Sequence, residues 1–290
     1  MTRPVLPVFA LLVFSLCAAR PAVAGEAIEH AMSATFRVYA ANASGTGFLV
    51  SVEPAAAKGK DAKAPAKKDD EAKDEQEPPA KPAKPQVVLV SAAHHFEKMT
   101  GEKATIVLRA KRDDGTYERR EVEVDIRKGK KPLWTRHPEM DVAAIKVDLP
   151  AGVAARPIPL AQVADESFVA NGHLAAGGEV WVPCFPSALE GNDAGWPVLR
   201  RASVASFPLA PLKAAKTILI DYPNFGGDSG APVFAVDGTR PVVVSIVLGM
   251  HRQTERTSSA FEERTIHTPM AVSYTAQAPF VRQTIELLMK

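Results

Sequence analysis

Residues 224–234 read NFGGDSGAPVF, and the residues beyond the serine decide the fold. Glycines on both sides of an Asp-Ser pair make a tight turn, because glycine accepts backbone angles closed to other residues while Asp and Ser suit turns. A turn that enters a helix would be the strand-to-helix elbow of an α/β-hydrolase, with Ser229 as nucleophile and a later acid and base such as Asp237 and His267. That elbow ends in glycine, whereas the corresponding position here is Ala231, and the residues beyond it are strand-like. The neighbouring sequence agrees. ATFRVYA, ATIVLRA, REVEVDI, DVAAIKV, EVWVPCF, KTILIDY and PVVVSIVLGM are short apolar or alternating runs rich in Val and Ile, separated by turn residues. One helix-length amphipathic pattern stands at the C-terminus, where Phe280, Val281, Ile285 and Leu288 recur at helical spacing after Pro279. Many strands and one terminal helix predict an all-β barrel or sandwich.

At the other end, Arg3 precedes an apolar run of roughly 15 residues and then Ala22-Val23-Ala24, the pattern of a secretory signal peptide over residues 1–24. The run is shorter than the ~20 apolar residues a spanning helix needs. The expectation is therefore an exported chain, periplasmic or secreted, with no stable membrane insertion after cleavage. Cys17 leaves with the signal and Cys184 stands alone, so the mature chain folds without an internal disulfide. Cys184, in VWVPCF, reads as a buried small apolar residue, with a catalytic thiol as the alternative. A formal charge of +2 gives no basis for a nucleic-acid partner.

Residues 53–86 contain no large apolar side chain, and their eight Lys are balanced by eight Asp plus Glu. Such a stretch cannot form a core, and its scattered prolines favour an extended, mobile insert. It lies between GTGFLVS (45–51) and VVLVSAA (87–93), both strand-like, which predicts an insertion at the tip of a hairpin.

Three sites could carry chemistry. In VLVSAAHHF (88–96) an apolar strand runs into two alanines and then His94-His95; in MDVAAIKV (140–147) Asp141 leads into an apolar strand; the third is Ser229. Each alone is commonly structural: a surface histidine, a strand-edge cap, a turn serine. Together they supply a nucleophile weak by itself, a base of near-neutral ordinary pKa and a carboxylate to orient it, which is what hydrolytic acyl transfer requires.

SAAHHF, DVAAIKV and GGDSGAPVF, in that order and 47 and 88 residues apart, resemble the three signature regions of the chymotrypsin/trypsin-type serine endopeptidases. SGTGFLVS resembles the early strand of bacterial trypsin-like and HtrA-type members, without a following PDZ-like region. The resemblance implies two packed six-stranded antiparallel β-barrels with a C-terminal α-helix, in one protease domain spanning 25–290. Residues 25–52 and 87–150 would build mainly the first barrel and 151–290 mainly the second barrel and helix. It further implies His94 as general base and then acid, Asp141 as its orienting carboxylate, Ser229 as nucleophile, and the backbone N–H groups of Gly227 and Ser229 as oxyanion hole. These side chains would converge in a groove between the barrels, acting on a protein or peptide substrate without cofactor or metal.

Departures from the family pattern are informative. Ala231 replaces the second glycine of GDSGG, which is tolerable where φ is negative. His95 stands where animal members carry a disulfide cysteine. The mature start GEAIEH lacks the Ile-Val-Gly-Gly type terminus that pairs with the Asp before the serine, so Asp228 needs another partner or the chain another cut. An acid six residues before the serine would imply preference for Lys or Arg; that position is Pro223, and Asp221 is out of register. VLGM (247–250) aligns loosely with the downstream wall of the specificity pocket. Two other readings remain. A catalytically silent trypsin-like domain could serve in binding, and a metal site could be assembled from His94, His95 and His137, although no H-E-x-x-H spacing occurs.

Overall fold

The computed structural model describes residues 20–54, 84–259 and 261–290. The apolar part of the signal-peptide expectation and most of the 53–86 insert lie outside the described residues. The first strands are β1 (Thr35–Ala40), β2 (Ala43–Val52), β3 (Gln86–Ser91), β4 (Lys103–Lys111) and β5 (Tyr117–Asp125). The short pieces β6 (Arg127–Lys128), β7 (Lys131–Pro132) and β8 (Thr135–Arg136) precede β9 (Ala143–Lys146) and β10 (Ile158–Pro159). They form an eight-stranded sheet in the order β5-β4-β1-β2-β3-β9-β8, with β10 pairing β2 in parallel and β6-β7 as a separate ribbon. Of the eight strands in the N-terminal sheet, β8 and β10 are two residues long. Val52 pairs with Gln86, so residues 53–85 connect the two ends of the β2-β3 hairpin.

The C-terminal half comprises β11 (Glu179–Cys184), β12 (Val198–Val204), β13 (Thr217–Asp221), β14 (Pro232–Asp237), β15 (Arg240–Ser258) and β16 (Glu263–Gln277). These six close into a barrel in the order β11-β12-β13-β16-β15-β14. Closure leaves no unpaired strand edge along the barrel wall. Beyond it, β15 and β16 continue as a two-stranded ribbon, paired from Arg252↔Pro269 to Ser258↔Glu263 and exposed on both faces.

Period-two side-chain alternation explains why β2, β3 and β9 read as unbroken apolar runs. Phe48, Val50, Val88, Val90 and Ala144 point into the same cluster as the barrel residues Val180, Val182, Ile220 and Val233. Leu49, Leu89, Ala143 and Ile145 point the other way, against Phe36, Phe96, Ile106 and Leu108. Strands buried on both faces lose the polar alternation of a half-solvated sheet.

Among the described residues, four α-helices complete the fold: α1 (Arg20–Ala34), α2 (Ala93–Lys98), α3 (Glu166–Ala170) and α4 (Ala278–Met289). Helix α4 buries Phe280, Val281 and Ile285, with Leu288 partly covered, which is the face the sequence spacing predicts. Helix α1 buries Ala27, Ala31 and Ala34. The carbonyls at its end, which have no intrahelical donor, are met by one fully buried cation. Arg109 Nη2 donates to the carbonyls of Met32, Ser33 and Thr35 at 3.2, 3.4 and 3.1 Å, and Nη1 to Gly195 O at 2.9 Å. Its guanidinium is stacked between the rings of Phe36 and Trp196, 4.3 and 4.2 Å from their centroids. Among the described residues no helix is long and apolar enough to cross a membrane.

Candidate active site

Strand β3 ends at Ser91, and after Ala92 the chain turns into the short helix α2, whose first turn carries His94 and His95. Consecutive helical residues point in different directions, and the two imidazoles part accordingly. His94 Nδ1 lies 2.5 Å from Asp141 Oδ2, while the other carboxylate oxygen accepts the His94 backbone N–H at 2.9 Å. Asp141 sits just before β9, the neighbour of β3 in the sheet, and the Ala93 N–H donates to its carbonyl at 3.3 Å. Burial works against the Asp141 anion, but the hydrogen bond and charge of His94, the His94 N–H and Arg136 outweigh it and hold the carboxyl below its usual range.

His95 turns inward and is buried. Its Nδ1 is 3.1 Å from Ser91 Oγ, whose own proton goes to Thr46 O at 2.7 Å. Ser91 has one proton to give, so the Nδ1 of His95 is the donor and its Nε2 is bare. Burial, together with the neighbouring His94, pushes its pKa down to about 3, so it is neutral. The ring rests on Gly45, where a Cβ would fall 1.7 Å from its Cε1.

Ser229 lies between two glycines with positive φ. Gly227 has φ +99°, and a Cβ there would lie 2.4 Å from Phe185 O. Gly230 has φ +84°, and its Cβ would lie 2.1 Å from Thr46 O. Both positions therefore admit only glycine. Ala231 is buried without positive φ, so its methyl group is accommodated. Thr46, fully buried on β2, ties this loop to the N-terminal sheet. Its N–H donates to Ser229 O at 3.1 Å, its hydroxyl donates to Gly227 O at 2.7 Å, and the hydroxyl oxygen accepts from Phe185 N at 3.3 Å. The Gly226 carbonyl accepts from the Ser187 N–H at 2.5 Å, which orients the peptide bearing the Gly227 N–H. Among the described residues, neither the Gly227 nor the Ser229 N–H donates to a protein acceptor.

Sequence reasoning missed Thr46 and Ser187. The signal for Thr46 was its place between Gly45 and Gly47, each pressed against a neighbouring chain segment. Ser187 carries none in its residue type, since its φ of +51° is imposed by the surrounding loop.

His94, Asp141 and Ser229 line one cavity of about 710 Å³, with Asn224–Gly227, Leu248–Met250 and Tyr274. The Ser229 hydroxyl donates to Leu248 O at 3.0 Å, and no hydrogen bond joins it to His94. Asp228 points away from the cavity and is fully buried. Its Oδ2 accepts from Tyr222 Oη at 2.8 Å and Phe225 N at 2.9 Å, while Oδ1 has no partner among the described residues. Burial raises the Asp228 pKa despite those bonds. Cys184 Sγ lies 3.1 Å from the same Tyr222 Oη, and burial raises the thiol's pKa as well. A protonated, buried thiol is neither nucleophile nor metal ligand.

The other candidate residues lie elsewhere. His137 Nδ1 accepts the N–H groups of Glu139 and Met140, both at 3.1 Å, and its Nε2 faces Gln283 Oε1 at 2.9 Å. Both nitrogens are therefore engaged away from His94. Asp237 pairs with Arg240 on the β14-β15 turn, and His267 meets Thr254 on the exposed ribbon. Past Ser229 the chain enters strand β14 and not a helix, so the elbow geometry of an α/β-hydrolase is absent.

The site and the barrel together define a mostly β protein in which a closed six-stranded barrel meets a larger sheet at a histidine, a carboxylate and a serine. No protein-family profile and no curated protein matches the chain. Among solved structures it is similar to Rv3671c from M. tuberculosis H37Rv, in an inactive serine-to-alanine mutant, with 14% identity, 93% of each chain covered and a TM-score of 0.45. It is similar also to the Rv3671c protease in its inactive form, with 15% identity, 93% and 96% covered and a TM-score of 0.45. The chemistry open to the site is set by its own geometry.

Proposed function

We propose that the chain is an exported serine endopeptidase that cleaves peptide bonds through an acyl-enzyme. The observation that carries this is a single cavity holding a bonded His94-Asp141 pair, the Ser229 hydroxyl and two backbone N–H groups without a protein acceptor among the described residues. In this reading a side-chain rotation moves the Ser229 hydroxyl from Leu248 O to His94 Nε2. Ser229 Oγ then attacks the scissile carbonyl carbon as its proton passes to His94. Asp141 accepts from Nδ1–H, fixing the tautomer that leaves Nε2 free and stabilising the imidazolium. The carbonyl oxygen becomes an oxyanion beneath the N–H groups of Gly227 and Ser229, where charge develops in the transition state. His94 returns the proton to the leaving amine, and water, activated by the same imidazole, hydrolyses the ester. The chemistry uses only groups of the chain itself. Export to the periplasm or medium rests on the N-terminal sequence, and N-terminal sequencing of the exported protein, with Gly25 expected first, tests it.

A second reading is favoured by the Ser229–Leu248 bond: a silent domain whose serine is held out of reach and whose cavity serves binding. A fluorophosphonate probe separates the two. Stoichiometric labelling of the wild type, abolished in Ser229→Ala together with a loss of peptide hydrolysis on the order of 10⁶, is the result expected of a protease. No labelling of folded wild type would leave the binding domain.

A further inference from the structure

A substrate held at Ser229 has a defined direction, which rests on the proteolytic reading above. His94 must stand beside the leaving nitrogen, so the residue on the acyl side extends away from it along the rest of the cavity wall, to which Asn224–Gly226 and Leu248–Met250 contribute. Leu248 O accepts from Ser229 Oγ at 3.0 Å, which brings this part of β15 alongside the nucleophile. The next residue, Gly249, pairs directly with Tyr274 of β16, between two register shifts, Val247/Gly249 and Met250/Arg252. A Cβ on Gly249 would fall 2.5 Å from Tyr274 Oη, 2.7 Å from Cζ and 3.0 Å from Cε1. The phenol therefore lies against Gly249, and both line the cavity that holds Ser229. The His251 ring braces it edge-on, with centroids 5.5 Å apart.

Charge selects in the same direction as size. Among the described residues the carboxylate lining the cavity is Asp141, already bonded to His94. Asp221 faces a different cavity with Glu179 and Arg201, and Asp228 is buried against Tyr222. Lys98 and Arg252, which also line the site, are exposed cations. A lysine or arginine on the acyl side would find no counter-charge.

We propose that Tyr274, seated on Gly249, is a specificity-determining residue that limits the acyl-side residue of the substrate to small uncharged side chains: Gly, Ala and Ser. Excess substrate atoms would have to displace a ring that is in edge contact with His251, and one methylene in a hydrophobic pocket is worth about 10–200-fold in discrimination.

The test is digestion of a diverse peptide library by the purified mature protein, with fluorophosphonate titration of the same sample. Wild type is expected to cut after Gly, Ala and Ser. Tyr274→Ala is expected to raise kcat/KM for Leu or Met relative to Ala by at least about tenfold. Tyr274→Phe, which keeps the ring and drops the hydroxyl, should retain the wild-type profile. A wild type that labels at Ser229 yet cuts equally well after Leu, Phe or Lys overturns the specificity assignment alone, whether or not the alanine variant folds. An unchanged profile in active Tyr274→Ala does the same. Folded wild type that neither labels nor cuts overturns the proteolytic reading and this inference with it.

Discussion

The two halves of the cleft are held in different ways. On the sheet side, two hydrogen bonds join His94 to Asp141 across adjacent parts of the fold. On the barrel side, the backbone is fixed by two positive-φ glycines, Thr46 and the Ser187 N–H, while the hydroxyl is turned to Leu248 O. The costly part of the site, a loop whose Gly227 and Ser229 amides have no protein acceptor among the described residues, is thus built into the backbone. Under the proposed function, what remains for Ser229 is one side-chain rotation, a ps–ns event for a side chain that is not fully buried. Apo sites commonly tighten such hydrogen bonds only when substrate arrives.

Removal of Ser229 apart, the largest effect is expected on the sheet side. Asp141→Asn replaces an acceptor of the Nδ1 proton by an amide that can donate to a bare Nδ1, favouring the tautomer with its proton on Nε2. Turnover should fall by ~10⁴ with the fold intact. Steady-state kinetics beside a thermal melt decide it: activity near wild type would remove Asp141 from its orienting role. The barrel-side backbone should respond more weakly and through another route. Gly227→Ala drives a Cβ towards Phe185 O at 2.4 Å and strains a φ of +99°, so the peptide carrying the Gly227 N–H, the proposed oxyanion donor, must shift. Loss of one such donor should lower kcat by about 10²–10³ with KM little changed. A variant that loses KM instead would show the loop acting in substrate binding.

How much of this was legible in the sequence divides along the same line. The sheet-side residues announce themselves, because His94 and Asp141 stand at the ends of apolar strands whose runs are buried on both faces. So do the glycines around Ser229. The β15-β16 ribbon was not legible: HRQTERTS and ERTIHTPM carry no period-two apolar pattern, since neither face meets a core. Helix α1 was hidden for the opposite reason, its buried face being made of alanines, which carry little hydropathic contrast. The choice between His94 and His95 depended on orientation within one helical turn. Sequence order points to the first, but Gly45, which leaves room for the second ring, lies 50 residues upstream. Tyr274 was invisible as a cavity residue because its position opposite Gly249 is set by strand register across a hairpin.

The halves also differ in how acid acts on them, and this is the smallest of the expected effects. His95, on the sheet side, has its folded pKa pushed down from 6.5 to about 3 by burial and by His94, with Lys98 acting in the same direction and Asp141 opposing. Between those values the unfolded chain takes up a proton that the folded chain refuses. Stability is therefore present above pH 6.5 and lost as pH falls towards 3. The slope approaches about 1.4 kcal/mol per pH unit for one full proton. Asp228, on the barrel side, has its folded pKa raised by burial, so its contribution has the opposite sign. It is fully present below the unfolded value and diminishes as pH rises through the folded one. Chemical denaturation at successive pH values from about 7 to about 4 separates them. His95→Phe should flatten the loss of stability on acidification, and Asp228→Asn should steepen it. Parallel curves for both variants and wild type would mean that neither buried group carries the linkage, and that acid sensitivity belongs to the surface carboxylates.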